Sequence, residues 1–150
     1  MMIYLGVDPG ASGAVAAIDD LGHVVRVVKN CGTERDTFEA FIGYETSELI
    51  AVIEQVHSMP EQGVASSFKF GQSYGFLRGC LIGAGIRFSE VTPRQWQMAM
   101  KCLTKGDKNV SKARAQQLFP REKITHATAD ALLLAEYCRA WLAPSASTQC

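Results

Sequence analysis

Apolar residues in this chain gather into runs of two kinds. The runs "MIYLGVD", "GAVAAID", "HVVRVVK", "ELIAVIE" and "IRFSEV" are short, continuous and rich in Val and Ile, which predicts five strands. Tight connections, "DDLG" among them, make the first three a meander. Elsewhere apolar residues recur at helical spacing. "TERDTFEAFIGYETSE" carries a Thr33 cap, acids in its first turn, and Phe38, Phe41 and Ile42 on one face. A long helix is predicted from Ser66 to Gly83, and "TPRQWQMAM" opens a short one with Thr92 as cap and Pro93 at the first helical position. "KCLTKGDKNV" reads as a basic loop, "SKARAQQLF" as a helix stopped by Pro120, and "THATADALLLAEYCRAWL" as a last amphipathic helix before the tail "APSASTQC". The order β-β-β-α-β-α-β-α-α-α predicts a mixed α/β domain.

Composition bounds this picture. With 150 residues, 47% of them hydrophobic, and no linker or low-complexity stretch, the chain predicts one domain with a core of its own, residues 1–143, and a short flexible tail, 144–150. The start "MMIYLGVD" has no basic n-region or long apolar h-region, and no apolar stretch approaches the roughly 18 residues of a membrane span. The expectation is a soluble, non-exported protein with no membrane partner. Its five cysteines are scattered and form no C-x-x-C pair, which predicts reduced, mostly buried thiols in a cytosol and no zinc site.

Charge changes the picture more. The formal net charge is zero, yet Met1 to Pro60 holds three Lys or Arg against nine Asp or Glu, and Glu61 to Thr125 holds eleven against four. The first segment is therefore acidic and the second basic. Basic blocks suit phosphate backbones, although charge blocks of this kind also occur as solvated faces.

Two of the acids occupy matching places. Asp8 ends the first strand and Glu54 ends the fourth, so if these strands are parallel neighbours both carboxylates emerge at the sheet edge where α/β folds place ligands. A third acid, Asp130, lies in "HATADALLLAEY" beside Leu132, Leu133 and Ala135, close to an apolar face where a lone charge is costly. Taken singly, Asp8 could shape a turn, Glu54 could pair with a base, and Asp130 could be a rim charge. A shared divalent cation accounts for all three, and Mg²⁺ prefers oxygen ligands of this kind.

Four blocks, "GVDPGASGAVAAID", "IEQVHSMPEQGVASSFKFGQSYG", "VTPRQWQMAM" and "ITHATADALLLAEY", together resemble the RuvC family of Holliday-junction resolvases, in particular its phage and prophage branch. The resemblance spans nearly the whole chain in the family's order. It implies an RNase H-like fold with a mixed five-stranded sheet, three antiparallel strands then parallel ones, flanked by helices. It also implies a homodimer in a bacterial or phage-infected cytoplasm that cuts four-way DNA junctions with Mg²⁺, Mn²⁺ being able to substitute, and with no small-molecule cofactor. Asp8, Glu54 and Asp130 match three of the family's four metal-binding positions. The fourth departs from the pattern, because the position three residues before Asp130 is Ala127. His126, on nearly the same helical face, is the candidate fourth ligand, and His57 is a second.

Phosphodiester hydrolysis needs a nucleophile, charge stabilisation and in-line geometry, which two cations bridged by carboxylates provide. Asp8, central in the sheet, is the natural bridging ligand. Lys105, Lys108 and Lys112 in "KGDKNVSK" would hold the phosphates, and the resemblance places family lysines near the scissile phosphate in this region. Lys112 is the candidate catalytic lysine, acting either on the leaving oxygen or as a charge stabiliser. Phe68, Lys69, Phe70 and Arg78 mix aromatic and basic groups suited to DNA, and Phe68 or Phe70 could stack on an unpaired base. Between them Gly71, Gly75, Gly79 and Gly83 recur every fourth residue, a smooth stripe for close packing on a second subunit or on the sheet.

The reading is a structure-selective, metal-dependent junction endonuclease. The alternatives are a nuclease-inactive junction-binding scaffold and a nuclease acting on other branched DNA. An actin-like phosphotransferase would share the "DPGASG" turn, but 150 residues leave no room for a second lobe.

Overall fold

The computed structural model describes residues 1–57 and 60–142. The strands are β1 (Ile3–Asp8), β2 (Ala14–Asp19), β3 (Val24–Lys29), β4 (Leu49–Glu54) and β5 (Arg87–Val91). The helices are α1 (Glu34–Phe38), α2 (Val64–Gly83), α3 (Pro93–Ala99), α4 (Lys108–Leu118) and α5 (His126–Tyr137), the last widening into a π turn over Cys138–Leu142. The five strands form one sheet in the order β3-β2-β1-β4-β5. The meander β1-β2-β3 is antiparallel, whereas β4 and β5 continue the sheet parallel to β1. This is the mixed sheet that the strand pattern and the family resemblance imply.

Side-chain alternation divides the sheet residues between two cores. Tyr4, Ala16, Ile18 and Val52 face Trp96 of α3, Ala115 of α4 and the buried side of α5. Leu5, Val7, Ala51 and Ile53 face the other way, against Phe41 and against Leu77, Cys80 and Leu81 of α2. The seating of α5 depends on Gly6, because a Cβ there would overlap the α5 backbone at Ala131 and Ala135. Only glycine lets the helix lie this close to β1.

The elements differ from expectation in four places. The first helix keeps its Thr33 capping box but runs only to Phe38, then tightens into 3₁₀ turns at Glu39–Phe41 and Thr46–Glu48, with Gly43 between them at φ +87°. Helix α2 begins two residues before Ser66, at Val64. The basic loop is shorter than its composition suggests: Asp107 caps α4 by accepting from the Asn109 N–H, so Lys108, Asn109 and Val110 form the first helical turn. Helix α5 ends before the π turn rather than running on through Leu142.

Cys80, Cys102 and Cys138 are buried free thiols and Cys31 is exposed, in keeping with the expected mostly buried cysteines. Among the described residues no helix is long and apolar enough to cross a membrane. The predicted tail, 144–150, lies outside the described residues.

Candidate active site

Asp8 and Glu54 are the last residues of adjacent parallel strands, and the register pairs Val7 with Ile53 immediately before them. The two carboxylates therefore emerge side by side at the carboxyl edge. Alternation puts Asp8 on the face of Tyr4 and Gly6, and Glu54 on the face of Val52, which is the side covered by α5. Asp130 immediately precedes Ala131, whose backbone overlies Gly6. One close helix–strand contact thus brings the third acid to the first two.

The local structure fixes each acid differently. Asp8 leads into a turn in which Gly10 has φ +99°, a conformation that favours glycine. The Asn30 side-chain amide donates to the Asp8 carbonyl at 2.8 Å and the Gly10 carbonyl at 3.0 Å, while the Gly10 N–H donates to Ser73 Oγ at 3.1 Å. The turn is thereby pinned from the residue that follows β3 and from α2. Glu54 accepts from the indole N–H of Trp96 at 2.6 Å. Asp130 sits beside Ser111 of α4, but its Oδ1 is buried without a hydrogen-bond partner.

The three acids line one cleft of about 210 Å³, together with Lys108, Ser111 and His126. Burial, followed by the charges of Glu54 and Asp130, holds the Asp8 carboxyl well above the usual carboxylate range. Burial likewise pushes Glu54 up to about 7, with the Trp96 hydrogen bond opposing the rise and Asp130 adding to it. Asp130 is raised by burial, against the lowering influence of Ser111, Lys108 and His126. The cleft is short of positive charge.

That deficit, with the orphaned Asp130 oxygen, fits a hard divalent cation with oxygen ligands. The carboxylates line the cleft without closing on a common point: among the described residues no three His, Cys, Asp or Glu side chains form a cluster that could hold a metal ion.

A structure of T. thermophilus RuvC in complex with a Holliday junction substrate matches this chain with a TM-score of 0.62 at 15% sequence identity, covering 94% of this chain and 97% of that one. A second Thermus thermophilus RuvC structure matches with a TM-score of 0.57 at 18% identity, over 92% of this chain and 96% of that one. The fold is that of RuvC. No protein-family profile matches the chain, and no curated protein sequence does.

Within this RuvC-like fold the remaining expected site residues separate. His126, the exposed first residue of α5, lines the cleft, whereas His57 is exposed on the loop after Glu54 and lines a different cavity. Lys108 is the lysine that lines the cleft, and its charge acts on both Asp8 and Asp130. Lys112, one turn further along α4 and half-buried, is not among the lining residues, and Lys105 is exposed in the preceding loop. Phe70 also lines the cleft, its ring lying where a Cβ on Gly10 would come within 3.0 Å. Phe68 points to solvent, and Lys69 lines a neighbouring cavity of about 460 Å³ with Ser66 and Gln72. Arg78 is engaged elsewhere, paired with Glu90 at 2.7 Å and lying over the Tyr74 ring.

Three participants escaped sequence reasoning: Trp96, Ser111 and Asn30. A buried tryptophan needs a partner for its N–H, so the Trp in "RQWQMAM" carried a usable signal. Ser111 and Asn30 carried none, since a lone Ser or Asn is ordinary at a helix start or a strand end.

Proposed function

We propose that this chain is a divalent-metal-dependent endonuclease that cuts branched DNA, with four-way junctions as its primary substrate, and that it works as a homodimer. The observation that carries the reading is the meeting of Asp8, Glu54 and Asp130 in one cation-poor cleft. It is supported by a fold shared with RuvC, for which one matching structure is in complex with a Holliday junction substrate.

Asp8, Glu54 and Asp130 would hold Mg²⁺, or Mn²⁺ in its place, and His126 stands at the same rim as a further donor. When bound, the cations activate water and balance the charge that gathers on the phosphate. Lys108, inside the cleft, neutralises a phosphate oxygen and draws the backbone toward the acids. Lys105 and Lys112 extend the positive surface along α4 and the loop before it. Phe70 gives the cleft an apolar wall on the α2 side, against which a nucleotide can lie.

A four-way junction presents two equivalent strands, so paired cuts require two sites related by a two-fold axis. At Gly71, Gly75, Gly79 and Gly83 of α2 an added Cβ would meet nothing within 4 Å, so the stripe faces away from the sheet and is open to a second copy of this chain.

Incubation with labelled four-way junction, Y-fork and linear duplex, in Mg²⁺ and in Ca²⁺, tests the reading. The expected result is paired nicks in the junction with Mg²⁺ and binding without cutting in Ca²⁺. Asp8→Asn, Glu54→Gln and Asp130→Asn should each abolish cutting while junction binding persists. Tight junction binding with no cutting in Mg²⁺ or Mn²⁺ would leave a DNA-binding scaffold instead.

A further inference from the structure

We infer that Trp96 is the positioning residue of Glu54, setting through its indole N–H which carboxylate oxygen the acid presents to the cleft. The inference rests on the nuclease reading above and adds to it a residue outside the cleft lining.

Trp96 is among the largest fully buried side chains of the described residues, with none of its surface exposed. Its helix cannot easily shift. Helix α3 starts from Thr92, whose hydroxyl accepts from the Gln95 N–H in a capping box, with Pro93 at the first helical position. The Gln55 N–H donates to the Val91 carbonyl at 2.7 Å, which ties the chain just after Glu54 to the end of β5, one residue before that cap. The indole packs in the core with Val52, Val91, Met100 and Cys102, so its ring has no room to turn.

From this fixed ring the N–H donates to Glu54 Oε2 at 2.6 Å, a short hydrogen bond. Oε2 is thereby occupied and immobilised. Oε1 is the other oxygen of the side chain that lines the cleft with Asp8 and Asp130. A carboxylate that offers one defined oxygen to a cation needs such an outer partner. Loss of one typically costs 10–100-fold in metal affinity or activity.

Trp96→Phe keeps an aromatic ring and removes the donor, together with the pyrrole half of a fully buried indole. The expected result is a protein that still folds, with a lowered melting temperature from the core truncation and unchanged junction affinity in Ca²⁺. Its Mn²⁺ affinity by calorimetry and its single-turnover cleavage rate should both fall about 10–100-fold. A second measurement needs no change at Trp96. The chain has two tryptophans, so Trp141→Phe leaves Trp96 as the sole indole emitter. Titration with Mn²⁺ should then alter Trp96 emission with the midpoint found by calorimetry, and adding Glu54→Gln should abolish the change.

A Trp96→Phe protein that binds Mn²⁺ and cuts like its parent overturns the inference alone. So does Trp96 emission that ignores Mn²⁺ shown by calorimetry to be bound, and this arm stands even if Trp96→Phe fails to fold. A parent protein that neither binds Mn²⁺ nor cuts overturns the nuclease reading, and this inference with it.

Discussion

Helices α5 and α2 cover opposite faces of one sheet and are built on opposite plans. The 12 residues of α5 bury seven, from Thr128 to Ala135 with the partly buried Asp130 as the one interruption, whereas the 20 residues of α2 bury only Leu77, Cys80 and Leu81. Glycine serves both helices in different ways. Gly6 admits the α5 backbone onto β1, and the four glycines of α2 leave its outer side bare. A helix buried nearly all round has one allowed position, which suits an element that carries a site residue. A helix buried along a narrow strip keeps most of its surface for a partner.

The harshest way to break this contrast is Gly6→Val. The new side chain would overlap backbone that cannot yield, so a loss of about 3 kcal/mol or more is expected, up to failure to fold. Chemical denaturation would measure it. If the variant were as stable as the parent, α5 would not be seated as described.

The next effect separates the acidic cleft from the rest of the molecule by pH. The Glu54 carboxyl rises from 4.5 to about 7 on folding, so between these values the native state binds more protons than the unfolded chain. Stability without metal should therefore fall as pH rises through this window. The contribution of Glu54 is at most about 3 kcal/mol. Melting curves in EDTA from pH 4.5 to 8 should show the decline, and Glu54→Gln should make it shallower, Asp8 and Asp130 being raised in the same direction. Saturating Mg²⁺ should restore stability at pH 8.

The smallest effect concerns the bare side of α2. Gly75→Ala should strengthen the monomer by about 1 kcal/mol through helix propensity, because the added methyl meets nothing. Gly75→Leu should leave the monomer folded and weaken self-association. Denaturation and sedimentation over a range of concentrations would read the two effects apart. Unaltered association in Gly75→Leu would move the dimer contact away from the stripe.

Most of this architecture was legible in the sequence, and the parts that were not have identifiable causes. The acids at the ends of "YLGVD" and "AVIE" and the aspartate in "TADALLL" announced themselves because each interrupts an apolar pattern. Their placement on one face also follows from period-two alternation. The register between β1 and β4 does not, since long-range pairing leaves no local mark. The start of α4 was read too late. Asp107 is a cap, and reading it as loop put Lys108 before the helix instead of in its first turn, where it reaches the cleft. The short α1 was misread because its helical spacing continues past Phe38 into 3₁₀ turns that the same residues also satisfy. Trp96 drew no reading of its own, because a bulky apolar ring satisfies a core pattern whether or not its N–H has work to do.

The contact at Gly6 also determines how the site can vary. Asp8 and Asp130 are carried by two backbones pressed together with no side chain between them, like the fixed jaws of a caliper. Their spacing is a property of the main chain and resists adjustment by neighbouring substitutions. Glu54 stands on the next strand and is held by a side chain from α3, so its position depends on a side-chain contact as well as on the main chain. Sequence drift across this cleft should then be refused where α5 crosses β1, and on α3 allowed only where the Trp96 N–H keeps its place against Glu54.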